Sequence, residues 1–210
     1  MKSNFLLALA TSAMIFASCG ETKTETPVAV VPSTPLTGEA SLSIDPTTSN
    51  VKWSGEMLGL YSHDGAISVK EGTVKLKDGK VVSGNFTIDM NSIAHLDANY
   101  TEEKGHTKGD LIGHLSSPDF FDVANNPTAT FAVTGVEGNK ISGNLTVRGK
   151  TNPETVEVTG IDLDGENVKI NGTLKFNRQN YGVAFAMPVK DKVLSDDINL
   201  AFSLVGKKQG

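Results

Sequence analysis

Apolar and polar residues alternate along most of the chain beyond residue 50, and a period of two predicts strands. Val51 and Trp53 alternate with Lys52 and Ser54; Val74 and Leu76 alternate with Lys75 and Lys77, ahead of an Asp78-Gly79 turn signal. Val82, Phe86, Ile88 and Met90 continue on one face, with Gly84 in the same register. Phe131 and Val133 lead to the turn Glu137-Gly138-Asn139-Lys140, and Ile141, Leu145 and Val147 return. Val156 and Val158, then Val168, Ile170, Leu174 and Phe176, follow the same rule, and Ile198, Leu200, Phe202 and Leu204 make the cleanest strand. Seven or more such strands joined by short turns predict an antiparallel sandwich or barrel. One buried and one solvated face on the last strand is consistent with a sheet closed on itself. Gly84, Gly143 and Gly172 stand in strand register and mark either barrel corners or bulges.

The alternation stops between Asn91 and Phe121. Ser92 to Leu96 is expected to form a short turn or helix, and Thr107 to Leu115 a second helix with Leu111, Ile112 and Leu115 on one side. Pro118 then limits propagation. The connection is long for a hairpin, which places it among functional or Ω-like loops. A closed barrel needs its end covered, and the adjacent Phe120 and Phe121 suit that as a plug or as a wall of the mouth.

The first 38 residues carry a different pattern. Met1-Lys2 is followed by a largely apolar run from Phe5 to Ala17 and by small residues before Cys19, so residues 1–18 read as a secretory signal rather than a membrane span. Cys19 is the one cysteine of the chain, which leaves no partner for an intrachain disulfide. Ile15-Phe16-Ala17-Ser18-Cys19 resembles a bacterial lipobox, with Phe16 in place of the usual leucine; the resemblance implies lipidation of Cys19 and a membrane-anchored mature chain. Gly20 after the cysteine resembles lipoproteins kept at the outer membrane, with its periplasmic or surface face left open. Residues 19–38, with three prolines and five threonines from Gly20 onward, read as a flexible tether. The folded domain is expected over residues 39–206, with 207–210 as a tail.

Composition narrows the function. The 210 residues carry a net charge of -5 without a basic stripe, which argues against nucleic acid. The four histidines, His63, His95, His106 and His114, form no H-x-x-H or H-E-x-x-H spacing; they read as surface residues, with a metal site from His95, His106 and His114 the minor alternative. No G-x-S-x-G is present, and Ser116-Ser117 lack an identifiable base and orienter. The reading is therefore non-enzymatic, with no metal and no cofactor. Arg148 and Arg178 are candidates for a headgroup phosphate or carboxylate, or else for ordinary structural contacts.

One family resemblance gathers these features. Leu111-Ile112-Gly113-His114-Leu115-Ser116-Ser117-Pro118-Asp119-Phe120-Phe121-Asp122-Val123, then Asn126-Pro127-Thr128-Ala129-Thr130-Phe131, resembles the signature of the YceI-like family. Ile44-Asp45-Pro46, Val51-Lys52-Trp53 and Gly143 to Thr151 resemble its other conserved stretches, in matching order from Leu42 to Val205. Two stretches depart: Asn177-Arg178-Gln179-Asn180-Tyr181-Gly182, where members more often carry Arg-x-Asp/Glu-Phe-Gly, and the Gly-, Glu- and Lys-rich Asp97 to Lys108. The resemblance implies an all-β, lipocalin-like, extended antiparallel barrel of eight strands with a short helical segment over one end. It also implies a polyisoprenoid-like or other amphiphilic lipid inside the barrel, at the bacterial cell envelope. The residues expected to touch that ligand are Trp53, Phe86, Ile88, Met90, Leu111, His114, Leu115, Phe120, Phe121, Phe131, Leu145, Phe176, Leu200 and Phe202. Each could equally be plain core. The alternative is a barrel with a filled interior, acting in protein interaction or envelope stress protection; a homodimer is compatible with either.

Overall fold

The structure, a computed structural model, describes residues 37–58, 60–96, 107–164, 166–186 and 193–209. The expected signal, Cys19, the tether up to residue 36, His106 and most of the Asp97 to Lys108 stretch lie outside the described residues.

The strands are β1 (Glu39–Ile44), β2 (Asn50–Met57), β3 (Tyr61–Lys77), β4 (Lys80–His95), β5 (Thr128–Glu137), β6 (Lys140–Val147), β7 (Lys150–Asp164), β8 (Asn167–Asn177) and β9 (Leu194–Lys208). Helix α1 (Lys108–Ser116) joins β4 to β5, and a 3-10 turn at Arg178–Tyr181 follows β8. Hydrogen bonding runs from β3 through β2, β9, β8, β7, β6, β5 and β4 back to β3, every pairing antiparallel. The ninth strand adds no ninth stave. β1 and β2 both lie between β3 and β9, with β1 against Thr73–Lys77 and β2 against Tyr61–Ile67. They are two halves of one stave, so the fold is a closed eight-stranded barrel.

The break between those halves is chemically explicit. Pro46 has no N–H for a ladder, and the detour is tied back by side chains. Asp45 N–H donates to Val205 O at 2.8 Å, and Val205 N–H donates to Ser49 Oγ at 2.9 Å. The Asp45 carboxylate accepts from Lys207 at 2.6 Å and from the Thr47 hydroxyl and amide at 2.6 and 2.9 Å. The Lys207 ammonium first, then Thr47, hold its pKa well below the usual carboxylate range. A carboxylate depressed on folding stabilises above its unfolded pKa, about 3.9, and that contribution fades as pH falls. Asp45→Asn is therefore expected to lower the urea midpoint at pH 6, with the gap to the parent closing below about pH 3.

Inward positions are apolar and outward ones such as Lys52, Lys75 and Lys175 are exposed, the reverse of a barrel whose outer face meets lipid. Leu42, Leu76 and Val168, each at most 1% exposed, pack the end that carries the tight hairpins. At one of those hairpins Asp78 and Gly79 both take left-handed φ, +48° and +73°, as a type I′ turn demands.

The sequence pattern needs correcting at three places. Val82 was expected inside but is 47% exposed, while Val81 is buried. A register shift between Lys75 and Leu76, where Leu76 pairs with Val81 and Lys75 with Ser83, leaves Val82 outside. Ser92 to His95, expected as a turn or helix, continues β4 beyond an irregularity between Asp89 and Ala94. His95, expected at the surface, is buried on that strand. Gly143 and Gly172 face rings rather than turning corners. A Cβ on Gly143 would lie 2.2 Å from the Phe131 ring, and one on Gly172 2.4 Å from Phe202. Both stand opposite a bulge in the neighbouring strand.

Candidate functional site

The barrel encloses a chamber of about 290 Å3. It is roofed at the end where β2 meets β3, β6 meets β7, and α1 and the 3-10 turn connect the longer gaps. Every residue expected to touch ligand lines it. Trp53 comes from β2; Phe86, Ile88 and Met90 from β4; Phe131 from β5; Leu145 from β6; Phe176 from β8; Leu200 and Phe202 from β9; Leu111, His114, Leu115, Phe120 and Phe121 from the roof. Period two brings the strand residues inside, since alternate side chains share one face.

The roof is built from local hydrogen bonds. Thr107 caps α1 in a reciprocal capping box, its hydroxyl accepting from Asp110 N–H at 3.2 Å and its N–H donating to the Asp110 carboxylate at 2.9 Å. Leu111 and Leu115 are thereby turned inward and buried. After the helix the chain folds back on itself. The N–H groups of Phe120 and Asp122 donate to Ser117 O at 3.0 and 2.8 Å, and those of Phe121 and Val123 to Leu115 O and Ser116 O. Asp122, at φ +50°, accepts from the side-chain amides of Asn125 and Asn126. This folding back explains two phenylalanines outside the sheet. Phe120, 4% exposed, drops onto the barrel mouth, with Phe121 edge-on at 4.9 Å. The plug and the wall are one object.

His114 joins that aromatic cluster, its ring edge-on to Phe120 at 5.5 Å and to Phe185 at 4.4 Å. Phe185 was not anticipated from the sequence. It sits in a non-strand stretch where no period exists, and the one available signal was the apolar run Tyr181 to Phe185 beside a glycine turn. Met57, Tyr61, His63 and Leu194 likewise line the mouth without having been singled out as ligand contacts.

Neither arginine points at the chamber as a headgroup ligand. Arg178 is 2% exposed and spends its donors on main-chain oxygens. Nε meets Ser195 O at 3.0 Å, Nη1 meets Val183 O at 2.6 Å and Phe185 O at 2.9 Å, and Nη2 meets the Asp196 carboxylate at 3.0 Å. Burial lowers its pKa from the ordinary value and Asp196 opposes that. The guanidinium stitches the Val183–Phe185 strip to the start of β9, which fixes Phe185 over the mouth. Arg148, in the β6–β7 turn at φ +50°, donates to Gly182 O and, at 2.6 Å, to Pro118 O. It joins the roof's two connections. Tyr181, wholly buried, donates to Glu154 at 2.8 Å, and burial together with that carboxylate pushes its pKa upward. Among the described residues no group of three or more His, Cys, Asp or Glu side chains could hold a metal ion.

Fold and site together define a closed β-barrel with an apolar chamber under an aromatic roof. Residues 42–206 match the YceI-like domain, and the chain belongs to that family. A UPF0312 protein of Staphylococcus aureus is 32% identical over 163 residues, covering 68% of this chain and 94% of its own length. Among solved structures, BcnA of Burkholderia cenocepacia is similar at a TM-score of 0.58 and 26% identity, over 77% of this chain and 98% of its own. A polyisoprenoid binding domain from Saccharophagus degradans, implicated in plant cell wall breakdown, shares the fold at a TM-score of 0.53 and 13% identity, over 81% of this chain and 99% of its own.

Proposed function

We propose that this chain binds and carries a long-chain, polyisoprenoid-like lipid inside its barrel at the bacterial cell envelope, held there by acylation of Cys19. The observation that carries the reading is the chamber itself, continuous and walled by aliphatic and aromatic side chains. Its lining includes few polar side chains, chiefly Tyr61, His63 and His114, all towards the roof. That arrangement suits binding an apolar chain with its polar end near the mouth rather than reacting with it. The polyisoprenoid binding domain of S. degradans, which shares the fold, supports the same ligand class.

Volume sets what fits. At roughly 30 Å3 per water-sized group, the 290 Å3 chamber accepts on the order of ten non-hydrogen atoms. That is about two isoprene units. Each buried methylene contributes about 0.8 kcal/mol, so ten supply roughly 8 kcal/mol before ordering costs. A longer chain must displace roof side chains or run out between them.

Lipid extraction and mass spectrometry of natively purified protein test this. The expected result is one long-chain species at about one per protein. Lipid-free protein that also fails to take up geranylgeraniol would instead support the filled barrel acting through its outer face. The same cells fed a labelled fatty acid should label Cys19; label persisting in Cys19→Ser would remove the anchor from the proposal.

A further inference from the structure

Exposed apolar side chains are not spread evenly over the barrel. Of the seven large ones among the described residues, five are at the roofed end: Leu58, Leu60 and Tyr61 around the β2–β3 turn, Val193 before β9 and Leu96 after β4. Leu58 N–H donates to Val193 O at 2.9 Å, which holds those two side by side, and Leu96 N–H donates at 2.7 Å to Asp64 O, three positions along β3 from Tyr61. Leu96 at 60%, and Leu60 and Val193 at 56%, are the most exposed of the set. The opposite end is charged: Lys77, Asp78 and Lys80 at one hairpin, Glu137 and Lys140 at another, Lys207 and Lys208 at the chain end, all exposed. Large exposed apolar side chains therefore gather at the roofed pole, interspersed with exposed charges such as Glu56, Asp64, Lys108 and Asp119, whereas the other pole shows Val82 and Val136 among its ions.

The roofed pole is continuous with the chamber. Tyr61 belongs both to the exposed set and to the chamber wall. Beside it a second hollow is lined on one side by Leu58, Val193, Phe185 and Leu194 and on the other by polar groups, Arg178, Gln179, Ser195, Asp196 and Asp197 among them; Phe185 and Leu194 also line the chamber. Phe185 and Leu194 are thus a partition one side chain thick between the ligand space and an outer hollow of mixed lining.

We infer that this pole docks on the surface of a lipid bilayer, with Leu60 and Leu96 entering the headgroup–acyl boundary, so that lipid passes between bilayer and chamber past Phe185 without crossing water. The inference rests on the reading of the chamber as a lipid site. A bilayer is favoured over a protein because protruding leucines on separate turns suit a soft, laterally mobile apolar phase, and because the ligand's own reservoir is that phase. Chain length permits it. The tether joins at Glu39, at the opposite pole, and its nineteen residues from Gly20 to Gly38 reach roughly 60 Å when extended. β3, with seventeen residues, spans about 56 Å along its own length at about 3.3 Å per residue. An anchor at Cys19 therefore allows the far pole to turn toward the membrane that holds it.

Two measurements on the full chain decide this separately from ligand binding. Trp53 is the one tryptophan, so Trp53→Phe/Leu60→Trp carries a single reporter at the pole. On phosphatidylethanolamine–phosphatidylglycerol vesicles with brominated acyl chains, its fluorescence should fall at least twofold; unquenched emission overturns docking whether or not the chamber binds lipid. Leu60→Glu/Leu96→Glu should then load fluorescent geranylgeraniol from vesicles at least tenfold more slowly, with unchanged affinity when the probe is delivered from dilute ethanol. Equal loading rates overturn the inference. Quenching with no probe bound by the parent would defeat the carrier reading while docking stands. Self-association of the parent that the glutamates abolish, without quenching, assigns the pole to a second copy of the chain and overturns it.

Discussion

Arg178→Ala is expected to cost the domain about 3 kcal/mol, the low end of the 3–5 kcal/mol typical when a buried charged network loses a member. The ion pair is the lesser part, because the Asp196 side chain is 47% exposed and a solvated pair is worth at most about 1 kcal/mol. Most of the loss comes from four main-chain oxygens, of Val183, Phe185, Ser195 and, at 3.5 Å, Leu194, left without this donor. An unmet buried acceptor costs about 1–3 kcal/mol, and water admitted to the vacated space recovers some of it. Lysine offers one ammonium where the guanidinium offers a planar fork, so Arg178→Lys should recover less than half of the loss. Asp196→Asn should cost under about 1 kcal/mol. Urea midpoints at unchanged slope measure all three, and an alanine variant within 1 kcal/mol of the parent would mean the guanidinium is dispensable. For a domain of this size the expected loss lowers the melting temperature by roughly 6–12 °C.

Arg178 also illustrates where sequence reading stops. A lone arginine in Asn177 to Gly182 has no periodic context, and a headgroup role and a structural one look identical in one dimension. What separates them is the convergence of Val183, Phe185, Ser195 and Asp196 from segments up to 18 positions away. The barrel was easier to read. β8 buries alternate residues from Val168 to Phe176, and β9 turns Ile198, Leu200, Phe202 and Leu204 alike to the chamber, so their period of two survives. The first half of β3 hides the same period, because its inward positions are His63 and Gly65 rather than aliphatic residues. Gly65 is there to seat the Trp53 ring, 2.2 Å from where a Cβ would be. Bulges erase register by one residue, which is how Val82 exchanged faces with Val81. The nine strand residues among the fourteen expected at the chamber were legible for a plain reason: a closed barrel leaves one interior, so inward-facing and cavity-lining become nearly the same property. The five of the roof were read instead from helical spacing and from an aromatic pair set outside the sheet. Phe185 escaped because it reaches that interior from a loop marked by neither a period nor a paired aromatic.

The chamber's use is best judged by filling it without disturbing the barrel, and Gly55→Leu does so. Gly55 lines the chamber on β2 opposite His63, and a Cβ there meets only Ile198 Cδ1 at 3.6 Å, an ordinary contact. Its backbone φ is one that any residue adopts, so the substitution adds no strain and removes the unfolded-state entropy of a strand glycine. Stability should stay level or rise by up to about 1 kcal/mol. Four added carbons, at roughly 30 Å3 each, take up over a third of the 290 Å3. A ligand excluded from that space forfeits about four methylene contacts, roughly 3 kcal/mol, which weakens binding on the order of a hundredfold. Gly55→Ala, adding one carbon, should weaken it only about fourfold. The graded series matters more than either value, because a lipid bound on the outer face would ignore position 55 altogether. Titration of fluorescent geranylgeraniol against the three proteins, with matched urea curves, gives both readouts. Binding indifferent to side-chain volume at this position would place the lipid outside the barrel, whatever the chamber's shape.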